Sequence, residues 1–176
     1  MSQQQYKPKQ FRIYLSQVDD FDKPNIKLEQ YITPADITCT LFEIIEFDHQ
    51  AISGKVVGDL CCGTCMYSIA AAYFEPAKIL GFDIDRPALQ TASENLQHYE
   101  LTDAVELINC DLLALDTKYR GVFDTVVMNP PFGTKNNEGI DCKLLKVAFD
   151  CLKPGGQMFS LHKASTKSYI EKFVAE

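Results

Sequence analysis

Asn129-Pro130-Pro131-Phe132 places an amide, two imide carbonyls and an aromatic face in sequence at the end of an apolar, β-branched run. A proline after asparagine drives that asparagine into extended backbone, so its side chain is aimed rather than free. Two consecutive prolines supply carbonyl oxygens but no N–H, and the resulting wall accepts hydrogen bonds and donates almost none. Such a wall suits an amino group. In an exocyclic nucleobase amine the lone pair is delocalised into the ring. If the Asn129 amide oxygen and the Pro130 carbonyl each accept one of its hydrogens, the nitrogen pyramidalises and its lone pair turns towards an electrophile, with positioning supplying most of the catalysis. Phe132 offers a face for base stacking, worth about 1–3 kcal/mol, and a paired base would first have to be flipped out. These four residues are the candidate catalytic set. The structural alternative is a rigid turn ending in a core phenylalanine.

A second group of residues suits a cofactor. Asp59-Leu60-Cys61-Cys62-Gly63-Thr64-Cys65 follows one β-branched run, Asp83 stands twenty residues after Gly63 at the end of the next, and Asp111 lies just past a third. Each acid alone would serve as a helix cap. Together they suit a nucleoside bearing a cationic amino group or sulfonium: Asp83 for the ribose hydroxyls, Asp111 for the adenine amino group, with Cys62 and Leu112 beside them. A dinucleotide would call for a glycine-rich turn with free amides for its pyrophosphate, which argues against a nicotinamide-dependent oxidoreductase. Cys62 and Cys65 form a Cys-x-x-Cys, but a metal site needs further ligands and His49, His98 and His162 are distant in sequence, so no metal is assigned.

Alternating strands and helices must carry these groups. Strands are expected over 55–60, 78–83, 104–109, 122–128 and 157–162. Helices are expected through 67–72, over 86–99 with Asp85 as N-cap, over 141–152 ended by Pro154-Gly155-Gly156, and beyond the last strand. This is an α/β fold with a doubly wound, mostly parallel sheet, whose ligands sit at the strand tips. Before the sheet, Thr33-Pro34-Ala35-Asp36 reads as a capped helix start with Ile37, Leu41, Ile44 and Ile45 as its buried stripe. One domain is expected over 1–176, with 1–50 as an N-terminal helical lid and 51–176 as the core.

With 176 residues, 46% hydrophobic content and a formal charge of −7, the chain would repel nucleic acid as a whole. An RNA or DNA partner therefore implies a local lysine cluster (Lys7 and Lys9, or Lys163, Lys167 and Lys172) or a second, basic subunit. Seven cysteines and no export signal point to free thiols inside the cell, in the nucleus or cytoplasm.

Asn129 to Phe132 resemble the signature of the class I amino-methyltransferases. More narrowly, Leu28-Glu29-Gln30-Tyr31, Gly81-Phe82-Asp83-Ile84-Asp85 and the run from Val127 through Gly133-Thr134-Lys135-Asn136-Asn137 resemble the methyltransferase-like protein five family. That resemblance spans roughly residue 10 to the end. It implies a Rossmann-like fold, S-adenosylmethionine as methyl donor, N6-methylation of adenosine in small-subunit ribosomal RNA, and a small zinc-binding activator subunit. It further implies that Gln30 and Thr33 close over the cofactor, that Asp59, Gly63, Asp83 and Asp111 hold it, and that Asn129 to Phe132 hold the adenine. Two departures stand out: Cys61 and Cys65 replace glycines of the family's loop, and the sequence ends at Glu176 before the antiparallel hairpin such domains carry beside strand five. Two rival readings are methylation of a protein glutamine amide and a non-catalytic methyltransferase-fold binding subunit.

Overall fold

The computed structural model describes residues 6–133 and 139–175. In them the β-branched runs form a five-stranded sheet in the order β3-β2-β1-β4-β5, with every pairing parallel. The strands are β1 (Val56–Leu60), β2 (Lys78–Asp83), β3 (Val105–Asn109), β4 (Phe123–Met128) and β5 (Leu152–Ser160). The helices are α1 (Pro8–Leu15), α2 (Ala35–Glu43), α3 (Met66–Ala72), α4 (Arg86–His98), α5 (Ile140–Cys151) and α6 (Lys167–Ala175). The chain winds outward from β1 to β3, then returns to lay β4 against the other side of β1. That reversal opens a crevice at the carboxyl ends of β1 and β4, where Leu60 pairs with Met128.

Side-chain alternation divides the core between the two sheet faces. Val57, Ile79 and Val127 point to one side, against Phe11 and Leu15 of α1, Phe42 and Ile45, and Ile69 of α3. Leu60, Phe82, Val126 and Met128 point to the other, against Leu144, Leu145 and Ala148 of α5. Gly58 makes room for this second layer: a Cβ there would lie 3.1 Å from the Phe123 ring.

Two local expectations are corrected. The buried face of α2 is Thr38, Cys39 and Phe42, continued by Ile45, while Ile37 and Ile44 are 49% and 42% exposed. The smaller Thr38 and Cys39 take the buried positions, and a π-helical turn at Ile44–Asp48 shifts the register of the stripe. Thr33 is also not the cap of α2; Pro34 stands there without a side-chain cap bond. The second correction concerns β5, which begins at Leu152 directly after α5 and contains Pro154-Gly155-Gly156 instead of following it. Leu152 pairs with Phe123 and Gln157 with Thr125, so a bulge absorbs the intervening residues, with Gly155 at φ +79. An outer strand tolerates proline there because its missing N–H removes no inward ladder bond. Among the described residues no helix is long and apolar enough to cross a membrane.

Candidate cofactor and amine-binding site

A cavity of about 280 Å3 opens at the strand tips, roofed by the segment between α1 and α2. All the cofactor candidates line it: Gln30, Thr33, Asp59, Cys62, Gly63, Asp83, Asp111 and Leu112. Its described lining contains the carboxylates of Glu29, Asp59, Asp83 and Asp111 and no lysine, arginine or histidine. Asp83 accepts the Gly63 N–H at 2.8 Å and the Asp85 N–H at 2.9 Å, so the turn after β1 points its amide at a carboxylate. Burial raises the Asp83 carboxyl, and these backbone bonds oppose the rise. Asp111 accepts the Leu113 N–H at 2.9 Å as the cap of a 3-10 turn, leaving its other oxygen to the cavity side. An acceptor set of this kind fits a positively charged nucleoside and disfavours a pyrophosphate, which needs free amides or cationic side chains.

Among the cavity's carboxylates, Asp59 is shifted the furthest. It is 1% exposed, and burial pushes its carboxyl up to about 7, although the Ser68 hydroxyl donates to it at 2.7 Å. The folded chain therefore retains a proton that the unfolded chain loses near pH 4. The stability from the neutral acid is present at low pH and is lost as pH rises through about 7. A cationic ligand reverses the preference by favouring the carboxylate. A ligand whose ammonium faces Asp59 is thus expected to bind about tenfold more tightly at pH 8 than at pH 6, a dependence absent in Asp59→Asn; calorimetric titration at both pH values checks it.

The cysteines that replace glycines adopt the backbone that glycine would: Cys61 has φ +62 and Cys65 φ +71. Left-handed backbone costs an L-residue roughly 1–2 kcal/mol, and here the turn is held by a Cys65 N–H to Cys62 carbonyl bond of 2.8 Å. Cys65 turns its side chain into the core and does not line the cavity, whereas Cys61 does. The Cys62 thiol is held well up by its hydrogen bond with Cys65 and by burial, which leaves it protonated and unreactive. Among the described residues no cluster of three or more histidine, cysteine or acidic side chains could hold a metal. Gly63, at φ +54, carries Phe21 directly above it: a Cβ would meet the ring tip at 2.7 Å.

The amine side of the cavity is built around Asn129. Its Nδ2 donates to Thr33 Oγ1 at 3.1 Å, and Thr33 in turn donates to the Tyr67 hydroxyl at 3.3 Å. Because the single Thr33 proton goes to Tyr67, Thr33 presents a lone pair and selects the amide's NH2 end. The Asn129 Oδ1 is thereby turned to the other side, where the Tyr31 hydroxyl donates to it at 3.3 Å. Burial raises the Tyr31 pKa, so this group remains a donor at neutral pH. Pro131 lines the cavity, while Pro130 is buried behind it. Phe132 is half-buried, its ring 6.0 Å from that of Tyr31 at 41°. Thr134 to Asn137, which continue the motif, lie outside the described residues.

Roof and motif are tied together. Glu29 Oε2 accepts the Phe132 N–H at 3.0 Å. Gln30 accepts the Asn25 N–H at 2.7 Å and donates to Asp85 Oδ2 at 2.9 Å, so it braces the roof to the turn after β2. Thr33 and Gln30 thus act through neighbours as well as lining the cavity. Sequence reasoning assigned no role to Phe21, Tyr31, Ile84 or Leu113, all of which line it. Ile84 and Leu113 are 53% and 49% exposed, and large apolar residues just after strand-end acids were a usable signal for flat nucleobase contacts. Phe21, within Asp20-Phe21-Asp22-Lys23, carries no such signal.

The methyltransferase small domain family model matches residues 36–174. The chain is 42% identical over 160 residues to an rRNA N(6)-adenosine-methyltransferase of Caenorhabditis elegans, covering 90% of this chain and 74% of the relative. It is 43% identical over 164 residues to the one of Drosophila melanogaster, covering 93% and 76%. A crystal structure from Pyrococcus horikoshii, of a protein provisionally named an RNA methyltransferase, superposes with a TM-score of 0.82 at 29% identity, covering 96% of this chain and 78% of that one.

Proposed function

This chain belongs to the methyltransferase small domain family, within its branch of rRNA N(6)-adenosine-methyltransferases, and from that premise we propose that it methylates N6 of an adenosine in small-subunit ribosomal RNA. The observation that carries the chemistry is the orientation of Asn129, whose Oδ1 is turned by Thr33 towards the side that Tyr31 occupies.

S-adenosylmethionine, when bound, supplies an electrophilic methyl group. Asp59 would face its charged end, Asp83 would take the ribose hydroxyls and Asp111 the adenine amino group, and Ile84, Leu112 and Leu113 would flank the base. On the substrate side, Asn129 Oδ1 accepts one N6 hydrogen and, once the amine is seated, the carbonyl of the buried Pro130 accepts the other. The Tyr31 hydroxyl yields its place on Oδ1 to the incoming amine. Phe132 stacks on the target base and the two prolines keep competing donors away. With both hydrogens held, the N6 lone pair leaves conjugation and points at the cofactor. No strong base is required, because the methylated nitrogen is acidic while cationic and gives its proton to water or to these same acceptors.

Two further elements belong to this reading. A small zinc-binding activator subunit works with the chain, as the family resemblance implies, and the net charge of −7 supports the need for a partner that contributes RNA affinity. The site of action is the nucleus or cytoplasm. A glutamine side-chain amide is the less favoured acceptor, since Phe132 stands where glutamine-modifying relatives usually carry tyrosine. The test uses radiolabelled S-adenosylmethionine with ribosomal RNA and total protein from cells lacking the enzyme. Label is expected in RNA, as N6-methyladenosine. Label on protein glutamine, or none with cofactor binding intact, would overturn the assignment.

A further inference from the structure

We propose that Lys163 is the phosphate-gripping residue of the amine site, holding the backbone of the RNA strand so that the target base seats on Phe132; this rests on the RNA reading above. The Lys163 ammonium lies 5.5 Å from the centre of the Phe132 ring, within the range of a cation–π contact. The side chain is exposed, and among the described residues no carboxylate pairs with it. Its backbone, in contrast, is pinned. The Lys163 carbonyl accepts the Thr166 N–H at 3.0 Å and the Thr166 hydroxyl at 2.9 Å. The preceding His162 is anchored through Ser160 Oγ at 2.9 Å, and Leu161 donates its N–H to the Met128 carbonyl, the residue just before Asn129.

A fixed root with a free, flexible ammonium beside a stacking ring has a specific consequence. When a base takes the ring, the lysine is displaced from the aromatic face while its four-carbon stem keeps it near the nucleotide's own phosphates. In a chain of net charge −7 whose described cavity lining is acidic, a cation at this position is a group that a polyanion would meet. A stable brace between Lys163 and Phe132 would instead block the stacking face, and the two roles give different kinetics.

The experiment compares wild type, Lys163→Ala, Lys163→Arg and, as a charge-matched control at the amino-terminal end of β2, away from the strand tips, Lys78→Ala. Each is measured for anisotropy of a fluorescein-labelled oligouridine RNA containing one adenosine, and for methylation of unmodified ribosomal RNA, across a salt series. Lys163→Ala is expected to weaken RNA binding and raise KM roughly tenfold while kcat changes less than about threefold. The slope of log affinity against log salt should fall by about 0.7. Lys163→Arg should restore both, and Lys78→Ala should leave the slope unchanged. An unaltered slope in Lys163→Ala, an equal loss in Lys78→Ala, or a lowered KM from unblocking the ring would each overturn the proposal. If wild type methylates no RNA, the functional reading fails, and the anisotropy arm still decides Lys163.

Discussion

Asn129→Ala is expected to lower kcat about a thousandfold while the dissociation constant for S-adenosylmethionine changes less than about threefold. The amide is tied to the amine side of the cavity: its two ends are taken by Thr33 and Tyr31, and none of its described bonds reaches Asp59, Asp83 or Asp111. Removing it deletes the acceptor that draws a hydrogen from N6, an interaction strongest as the nitrogen becomes cationic, so the loss falls on kcat and not on cofactor affinity. Asn129→Asp preserves an acceptor at the same reach, and Thr33 can reverse its bond to donate to the carboxylate. It should therefore retain more activity than the alanine variant. Single-turnover methylation, with calorimetry for the cofactor, reads the two quantities separately. A parallel loss of cofactor affinity would move Asn129 from the substrate side to the donor side.

Asp83→Ala should produce the opposite split. Its carboxylate organises the turn after β1 by accepting the amides of Gly63 and Asp85, in addition to facing the cavity. Hydrogen bonds to a charged group are worth about 1.5–3 kcal/mol each, and loss of two to the ribose hydroxyls predicts at least about a hundredfold weaker cofactor binding. The two amides left without an acceptor also release a turn that keeps Cys61 and Cys65 in left-handed backbone. A stability loss of about 2 kcal/mol, or roughly 5 °C in Tm, is expected. At saturating cofactor, kcat should return to within about threefold of wild type, because the Asn129 network does not pass through Asp83. Unchanged cofactor affinity with reduced kcat would remove Asp83 from the cradle. The Tm shift should appear without any ligand, which separates the structural role from the binding role.

The order of elements, the parallel sheet and the three acids at successive strand tips were legible in the sequence. β-branched runs with an aspartate at or just past their ends, and a proline after Asn129, report on strands and tips through local sterics alone. Local rules failed where neighbours decide. The buried stripe of α2 depended on which residues the adjoining helices could accommodate, and Pro154-Gly155-Gly156 entered β5 because a strand at the sheet's outer edge need not donate every N–H. Cys61 and Cys65 were recognisable as misfits for a glycine-like turn, yet only the fold separated Cys61, on the cavity, from Cys65, in the core.

By itself, then, the sequence points to an acceptor-lined wall suited to an amine at the end of a buried strand and to neighbouring acids suited to a cationic nucleoside, since both follow from residue types and short spacings. The tertiary structure decided which way Asn129 faces. That choice depends on Thr33 donating to Tyr67, on Tyr31 approaching from the roof, and on Glu29 holding the backbone of Phe132. These contacts join residues 34 to 103 positions apart, and no local periodicity encodes a hydrogen bond whose partners meet only after the chain has reversed at β1 and β4 and the N-terminal segment has closed over the strand tips.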